Sequence, residues 1–243
     1  MKLFRRSDLK VRYRMEQDGK EWGLGHLREL SSHHRSHEIP TFISLSWVGL
    51  EPGEELAPHF HHVPSHVIIQ KGQASVFAPH EMKMGVGDFI MIPANVWHGF
   101  KLADQDGFEA LAFNFNLSGL FSEDETTIFD NSKLKVSKQT ANLVKRSDKC
   151  FRDYDRILPP EIRARWINLK EGKNEKVEYA GPTYVINFEG RCKIMGEHQE
   201  LELLSQDILY FDRPDTLTFS TLRKSTLFTL EIVDPETELE GLS

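Results

Sequence analysis

GEELAPHFHHVPSHVIIQKG, residues 53–72, and GDFIMIPANVWH, residues 87–98, decide how this chain is read. His59 and His61 stand two apart, so in an extended strand they point to the same face. His66 opens the next apolar run and His98 ends a later one. Imidazoles converging from separate strands suit a transition metal, which neutral nitrogen donors bind well. His59, His61, His66 and His98 are therefore the candidate metal ligands.

From Thr41 onward, FISLSWVGL, HVIIQK, QASVFA, DFIMI, VWHGFKL and FEALAFNFN are separated by Gly- and Pro-containing turns. Short β-rich runs at intervals of about ten residues predict an all-β barrel or sandwich. Ahead of them, Leu9–Met15 reads as a basic strand, and Asp18–Gly19 and Gly23–Gly25 as turns. SSHHRSHEIP reads as a loop whose His33, His34 and His37 are solvated. Residues 118–150 are polar and poor in aromatics, a connection with QTANLVKR as a short helix.

The second half repeats the first. SWVGLEPGEE matches RWINLKEGKN, HVIIQKG matches YVINFEG, and GDFIMIPANVWHGF matches QDILYFDRPDTLTFS. Three blocks in one order at a nearly constant offset indicate an internal duplication, with a period far longer than a solenoid's. The sister copy carries none of the histidines. His59 falls on Glu178, His61 on Ala180, His66 on Thr183 or Tyr184, and His98 on Leu217. A scaffold kept without its ligands points to a metal in the first copy alone. The expected domains are 1–117 with the metal site, 118–150 as connection, and 151–243 as the copy without ligands.

The bulk figures fit an ordinary globular protein: 243 residues, 39% hydrophobic, 28% charged and a formal net charge of -7. That charge disfavours nucleic acid and anionic lipid as partners. Two cysteines, Cys150 and Cys192, suggest a reducing compartment. With no membrane-length apolar run, the expected location is cytoplasmic. The basic N-terminal stretch reads as a solvated or edge strand. No Gly-x-Ser-x-Gly elbow, P-loop or Cys-x-x-Cys occurs.

These residues resemble the two motifs of the cupin superfamily. The first reads G, five residues, H, one, H, three or four, E, about six, G. Gly53, His59, His61 and Gly72 match it, with His66 where the Glu stands and a gap to Gly72 one residue short. The second reads G, five, P, one, G, two, H, three, N. Gly87, Pro93 and His98 match; Asn95 replaces the second Gly, as a left-handed turn tolerates, and Leu102 replaces the final Asn. The resemblance implies a bicupin: two tandem jelly-roll (double-stranded β-helix) barrels, commonly dimeric, with a metal in the first. His59, His61 and His98 are then ligands, and His66 is a fourth ligand or lies behind the other three.

A His-only shell suits Fe(II), with Zn, Mn, Ni and Cu as alternatives. It leaves the divalent charge uncompensated and so favours a small anionic substrate, such as a carboxylate beside a hydroxyl, thiol or ketone. The shell resembles that of the three-His cupin dioxygenases, which makes an Fe(II) dioxygenase the favoured reading. A metal-dependent isomerase, lyase or cyclase and a non-enzymatic sensor or binding module are the rivals. If His66 points inward, Ile68 and Gln70 do too, and Gln70 becomes a candidate hydrogen-bond donor to a ligand or to substrate. His62 is expected to face outward. His26, His80 and His198 are read as surface residues, and Trp97 as packing.

Overall fold

The computed structural model describes residues 1–17, 20–30, 43–54, 56–61, 63–77, 80–103, 105–115, 142–144, 158 and 161–233. Twenty strands make up nearly all of it. The first ten are β1 (Lys2–Phe4), β2 (Val11–Gln17), β3 (Lys20–Leu30), β4 (Ile43–Leu50), β5 (Leu56–His59), β6 (Ser65–Gly72), β7 (Ala74–Phe77), β8 (Glu81–Met84), β9 (Phe89–Ile92) and β10 (His98–Leu102). Then come β11 (Phe108–Phe115), β12 (Asn142–Val144), β13 (Ile162–Leu169), β14 (Asn174–Tyr179), β15 (Thr183–Glu189), β16 (Cys192–Met195), β17 (Glu200–Leu203), β18 (Ile208–Phe211), β19 (Asp215–Ser220) and β20 (Ser225–Ile232).

The chain divides into two compact units, Leu9–Lys149 and Met1–Asp8 with Cys150–Ser243. In the first, the sheet runs β12-β9-β6-β11-β4-β3 and continues through β5 into β10-β7-β8, with β2 against β3. In the second, β1-β18-β15-β20-β13 faces β14-β19-β16-β17. All pairings are antiparallel. The duplication extends to the strands: β4, β6, β7, β8, β9 and β11 recur as β13, β15, β16, β17, β18 and β20 with equivalent pairings, whereas β2 and β3 have no counterpart among the described residues of the second unit.

One turn shows how closely the copies agree. Asp88 accepts the Gly85 N–H at 2.8 Å and Asp207 accepts the Leu204 N–H at 2.9 Å. Gly87 and Gln206 both take positive φ, 83° and 71°. Glycine adopts that conformation freely; a glutamine there is strained by its Cβ and is held by the surrounding hydrogen bonds. Among them the Gln206 N–H donates to Asn187 O, as the Gly87 N–H does to Ile69 O.

Each core lies between its unit's two sheets. In the first, alternate residues point inward: Val67 and Ile69 on β6, Ile90 and Ile92 on β9, Ala110 on β11, Val76 on β7 and Phe100 on β10. In the second, Val185, Leu209, Ile194, Leu217 and Leu227 do the same. The opposite face of the β6-β11-β4 layer is buried as well: Ile43, Leu45, Trp47, Ile68, Leu111 and Phe113 are at most 1% exposed. Strands covered on both sides read as continuous apolar runs, as VII of β6 does.

The units differ in extent from the sequence expectation. Residues 1–8, expected with the first barrel, join the second unit, where β1 extends the free edge of β18 with Leu3 opposite Leu209. Arg5 is ion-paired with Asp207, and Arg6 donates to the Gln206 side chain at 2.5 Å. Within the expected connection, Asn142–Val144 is a strand on the edge of β9 rather than part of a helix. An unpaired strand edge offers a full ladder of hydrogen bonds, which overrides weak local preference. Gly23–Gly25 lies inside β3 and is not a turn. His33, His34, His37, His62 and the Asp18–Gly19 turn lie outside the described residues.

Candidate metal centre

Three of the four candidate histidines meet. A nitrogen from each of His59, His61 and His98 lies within 4.8 Å of the other two. The ring centroids are 4.9 Å apart for His59–His61, 4.4 Å for His59–His98 and 5.1 Å for His61–His98.

Local structure explains the convergence. On β10, His98 shares the inward face with Phe100. On β5, Leu56 already points inward, so strict alternation would turn His59 outward. The ladder breaks there: Phe100 pairs with Leu56 while His98 pairs with His59. Three residues on β5 thus span two on β10, and this bulge returns His59 to the interior. His61 follows just beyond the strand, its carbonyl accepting the Asn95 N–H at 2.7 Å. Asn95 takes φ 63°, the left-handed conformation expected of it. Behind the ligands, Phe60 and Trp97 pack edge to face at 5.1 Å, joining the ligand segment 59–61 to that of His98.

The donor set fits a divalent transition ion. His98 is 2% exposed, and its Nδ1 lies 2.9 Å from the Val96 carbonyl. A carbonyl only accepts, so Nδ1 carries the proton and Nε2 keeps its lone pair for a metal. Burial, reinforced by the neighbouring His59, depresses the His98 pKa to about 3, against the opposing effect of the Val96 hydrogen bond. The imidazole is therefore neutral at physiological pH. Metal–nitrogen bonds of about 2.0–2.1 Å would draw the three rings slightly together. Among the described residues no carboxylate or thiol joins the cluster.

His66, expected as a fourth ligand or directly behind the others, is not in this cluster. It neighbours the inward Val67 and takes the opposite face of β6. There it is 1% exposed and stacks on Phe113 at 5.5 Å with an interplanar angle of 5°, next to Phe89 and Phe115. The residue of inward parity is Ser65, 3% exposed and opposite Ile92 and Asn114. The missing residue before Gly72 was the sequence sign of this: counting back from Gly72 puts Ser65, not His66, in the inward register.

Gln70 is also placed differently from expectation. It is the extra residue of a bulge opposite Glu109–Ala110. At about 3.3 Å per residue it lies roughly 16 Å along β6 from Ser65. Its side-chain amide is buried and makes no hydrogen bond among the described residues. His26 is not a surface residue, since its side chain is 14% exposed and its Nδ1 lies 3.0 Å from Glu54. The ring lies over Gly49, where a Cβ would come within 2.1 Å of it. His80 and His198 are exposed, as expected. Trp97 packs on Phe60 while remaining 39% exposed.

Residues 46–114 match the family model described as the cupin domain. No curated protein sequence matches the chain. Among solved structures, a mutant of Bacillus subtilis oxalate decarboxylase is similar with a TM-score of 0.66 at 13% identity, covering 96% of this chain and 77% of that one. Lactobacillus farciminis oxalate decarboxylase, as its formate complex, gives 0.66 at 13% identity over 95% and 86% of the two chains. Salicylate 1,2-dioxygenase from Pseudaminobacter salicylatoxidans gives 0.61 at 14% identity over 88% and 77%. At such identity the likeness carries the fold. With both motifs and the matched model in agreement, residues 46–114 form a cupin domain, and the chain as a whole has the two-barrel fold of these bicupin structures.

Proposed function

We propose that the first barrel is a mononuclear metal centre held by His59, His61 and His98, and that the protein is an Fe(II)-dependent dioxygenase acting on a small anionic metabolite. One observation carries this reading: three imidazoles share a cluster that no carboxylate enters among the described residues. Such a shell leaves the divalent charge unbalanced and coordination positions open, which suits an anionic substrate binding beside dioxygen. Bound iron would supply the electrons for dioxygen reduction and a template for the two reactants. The chain's own part is to hold His98 neutral and aimed through the Val96 carbonyl, and to fix the His61 main chain through the Asn95 N–H. On its inner side the centre adjoins the apolar core of Phe100, Val67 and Ile90.

A second reading draws on the solved structures. Two of them are oxalate decarboxylases, and one B. subtilis enzyme structure is described with Mn(II) centres. A metal acting only as Lewis acid on a carboxylate, in a lyase or isomerase, would use the same three histidines. Metal analysis separates the two. Protein purified anaerobically without added metal should carry iron near one equivalent, lost in a His59→Ala/His98→Ala variant, and should consume O₂ with chelating acids. Stoichiometric Mn, Zn or Ni instead would move the reading to lyase or isomerase chemistry. Folded protein with no metal affinity would sink both and leave a binding module.

A further inference from the structure

The burial pattern of the first barrel is inverted on one wall. On β4, the outward Ile43, Leu45 and Trp47 are buried, whereas the inward Ser44, Ser46 and Val48 are partly solvent-accessible. On the neighbouring β11, the outward Leu111, Phe113 and Phe115 are buried, and the inward Ala112 and Asn114 are accessible. On this wall the inward face is therefore more open to solvent than the outward one. That face is made of small side chains, Ser44, Ser46, Ala112 and Asn114, in register with one another and with Ser65. The Asn114 Oδ1 is buried and has no hydrogen-bond partner among the described residues.

In the second barrel the equivalent wall carries larger side chains, and its β20 half is closed to solvent while its β13 half stays partly exposed. Ser44, Ser46, Ala112 and Asn114 become Arg163, Arg165, Thr229 and Glu231 at equivalent register positions. Glu231 is 1% exposed and Thr229 is fully buried. Glu231 lies 3.1 Å from Arg165 and 3.7 Å from Arg163, and it accepts the Ala180 N–H at 2.6 Å. Large paired charges stand in one copy where hydroxyls and a methyl stand in the other.

We infer that this inward face lines a chamber, that the Ser44–Ser46–Ala112–Asn114 wall is the chamber's substrate-binding surface, and that it selects a ligand whose body beyond its chelating anionic end is small and uncharged. The inference rests on the metal-centre reading for where the chelating end sits, but the chamber stands without it. On this inward face the one charged side chain of the adjoining β3 stretch, Glu29, is already ion-paired with Arg12 at 2.9 Å. No free cation is thus shown on the described part of this wall to meet a second carboxylate. Ser44, Ser46 and Asn114 supply neutral donors and acceptors, which penalise a charged group stripped of its water. A monocarboxylate with a vicinal hydroxyl or keto group fits; a dicarboxylate with the same chelating end does not.

Thiol accessibility tests the chamber without any metal. In a Cys150→Ser/Cys192→Ser background, Ala112→Cys and its second-barrel counterpart Thr229→Cys are exposed to the small neutral reagent methyl methanethiosulfonate. A thiol that reacts only after local opening is slowed by roughly a hundredfold or more, so Ala112→Cys should react at least that much faster than Thr229→Cys. Ser46→Cys, nearly isosteric, replaces Ala112→Cys should that variant fail to fold. Equal, slow labelling of the folded variants overturns the chamber. In iron-loaded protein under anaerobic conditions, pyruvate should protect Ala112→Cys and 2-oxoglutarate should not. Equal protection by both overturns the uncharged-body selection. Failure of the protein to take up iron, with labelling as expected, defeats the metal-centre reading and leaves the chamber standing.

Discussion

The two barrels share their strands, their registers and their Asp-capped turn, and they differ at the inward positions of one end. Where the first pairs His98 with His59, the second pairs Leu217 with Val177, both set against its apolar core. Where the first has Ser44, Ser46, Ala112 and Asn114 around accessible space, the second has two arginines on a buried glutamate. The scaffold therefore does not need the histidines in order to fold. Three imidazoles converging around the buried, neutral His98 cost solvation free energy and add little packing, which fits a site that can hold a divalent metal.

The strongest way to break the contrast is to move the second barrel's residues into the first. His59→Val/His98→Leu should lower metal affinity by more than about a thousandfold, since two of three ligands vanish, as read by equilibrium dialysis. The same variant tests a pH effect. The folded His98 pKa, about 3, lies below the ordinary 6.5. Between those values the unfolded metal-free chain binds the extra proton, so stability rises with pH and falls as the medium is acidified. The slope is at most about 1.4 kcal/mol per pH unit. Urea titrations of metal-free protein across this window should show that slope, and it should be missing from the variant.

The reverse lesion is Glu231→Ala. It removes the carboxylate that Arg163, Arg165 and the Ala180 N–H share, and should cost about 2–4 kcal/mol of second-unit stability in urea unfolding. The lower part of that range is expected because Arg163 and Arg165 are each about a third exposed. Metal content should be unaffected. A smaller effect is expected at the Phe60–Trp97 contact. Trp97→Ala removes an aromatic pair worth about 0.5–1.5 kcal/mol, and it should weaken metal binding by about tenfold while the circular dichroism spectrum is retained. The smallest is His66→Tyr, which installs the second barrel's Tyr184 at the same register position. Stability should change by less than about 1.5 kcal/mol, and metal stoichiometry should stay as in the wild type. Loss of the metal in His66→Tyr would return His66 to the ligand set.

Much of this was legible in the chain. Short β-rich runs between turns marked an all-β protein, and the spaced copies of Trp47 and Trp166, Gly72 and Gly190, and Asp88 and Asp207 revealed two barrels. His59, His61 and His98 could be picked out because strand alternation and the turn residues Gly87, Pro93 and Asn95 are local features. His66 and Gln70 were misplaced for a shared reason: the side of a strand depends on register, and one omitted or extra residue reverses it. The sequence offset set His59 on Glu178, whereas the ladder makes Val177 its counterpart, because the β5 bulge has no equivalent in the regular β14–β19 pairing.

What the sequence by itself determined was the fold class, the duplication and the three histidines, since periodicity, repetition and short spacing are written along one dimension. Only the tertiary structure decided that β1 completes the second unit, that Ser65 and not His66 faces inward, and that serines, an alanine and an asparagine stand in one barrel where paired arginines and a glutamate stand in its twin. Those outcomes depend on which strand edges are left unpaired, on bulges that shift parity, and on side chains brought together from strands far apart in sequence. These are long-range pairings, and no local stretch of the chain carries them.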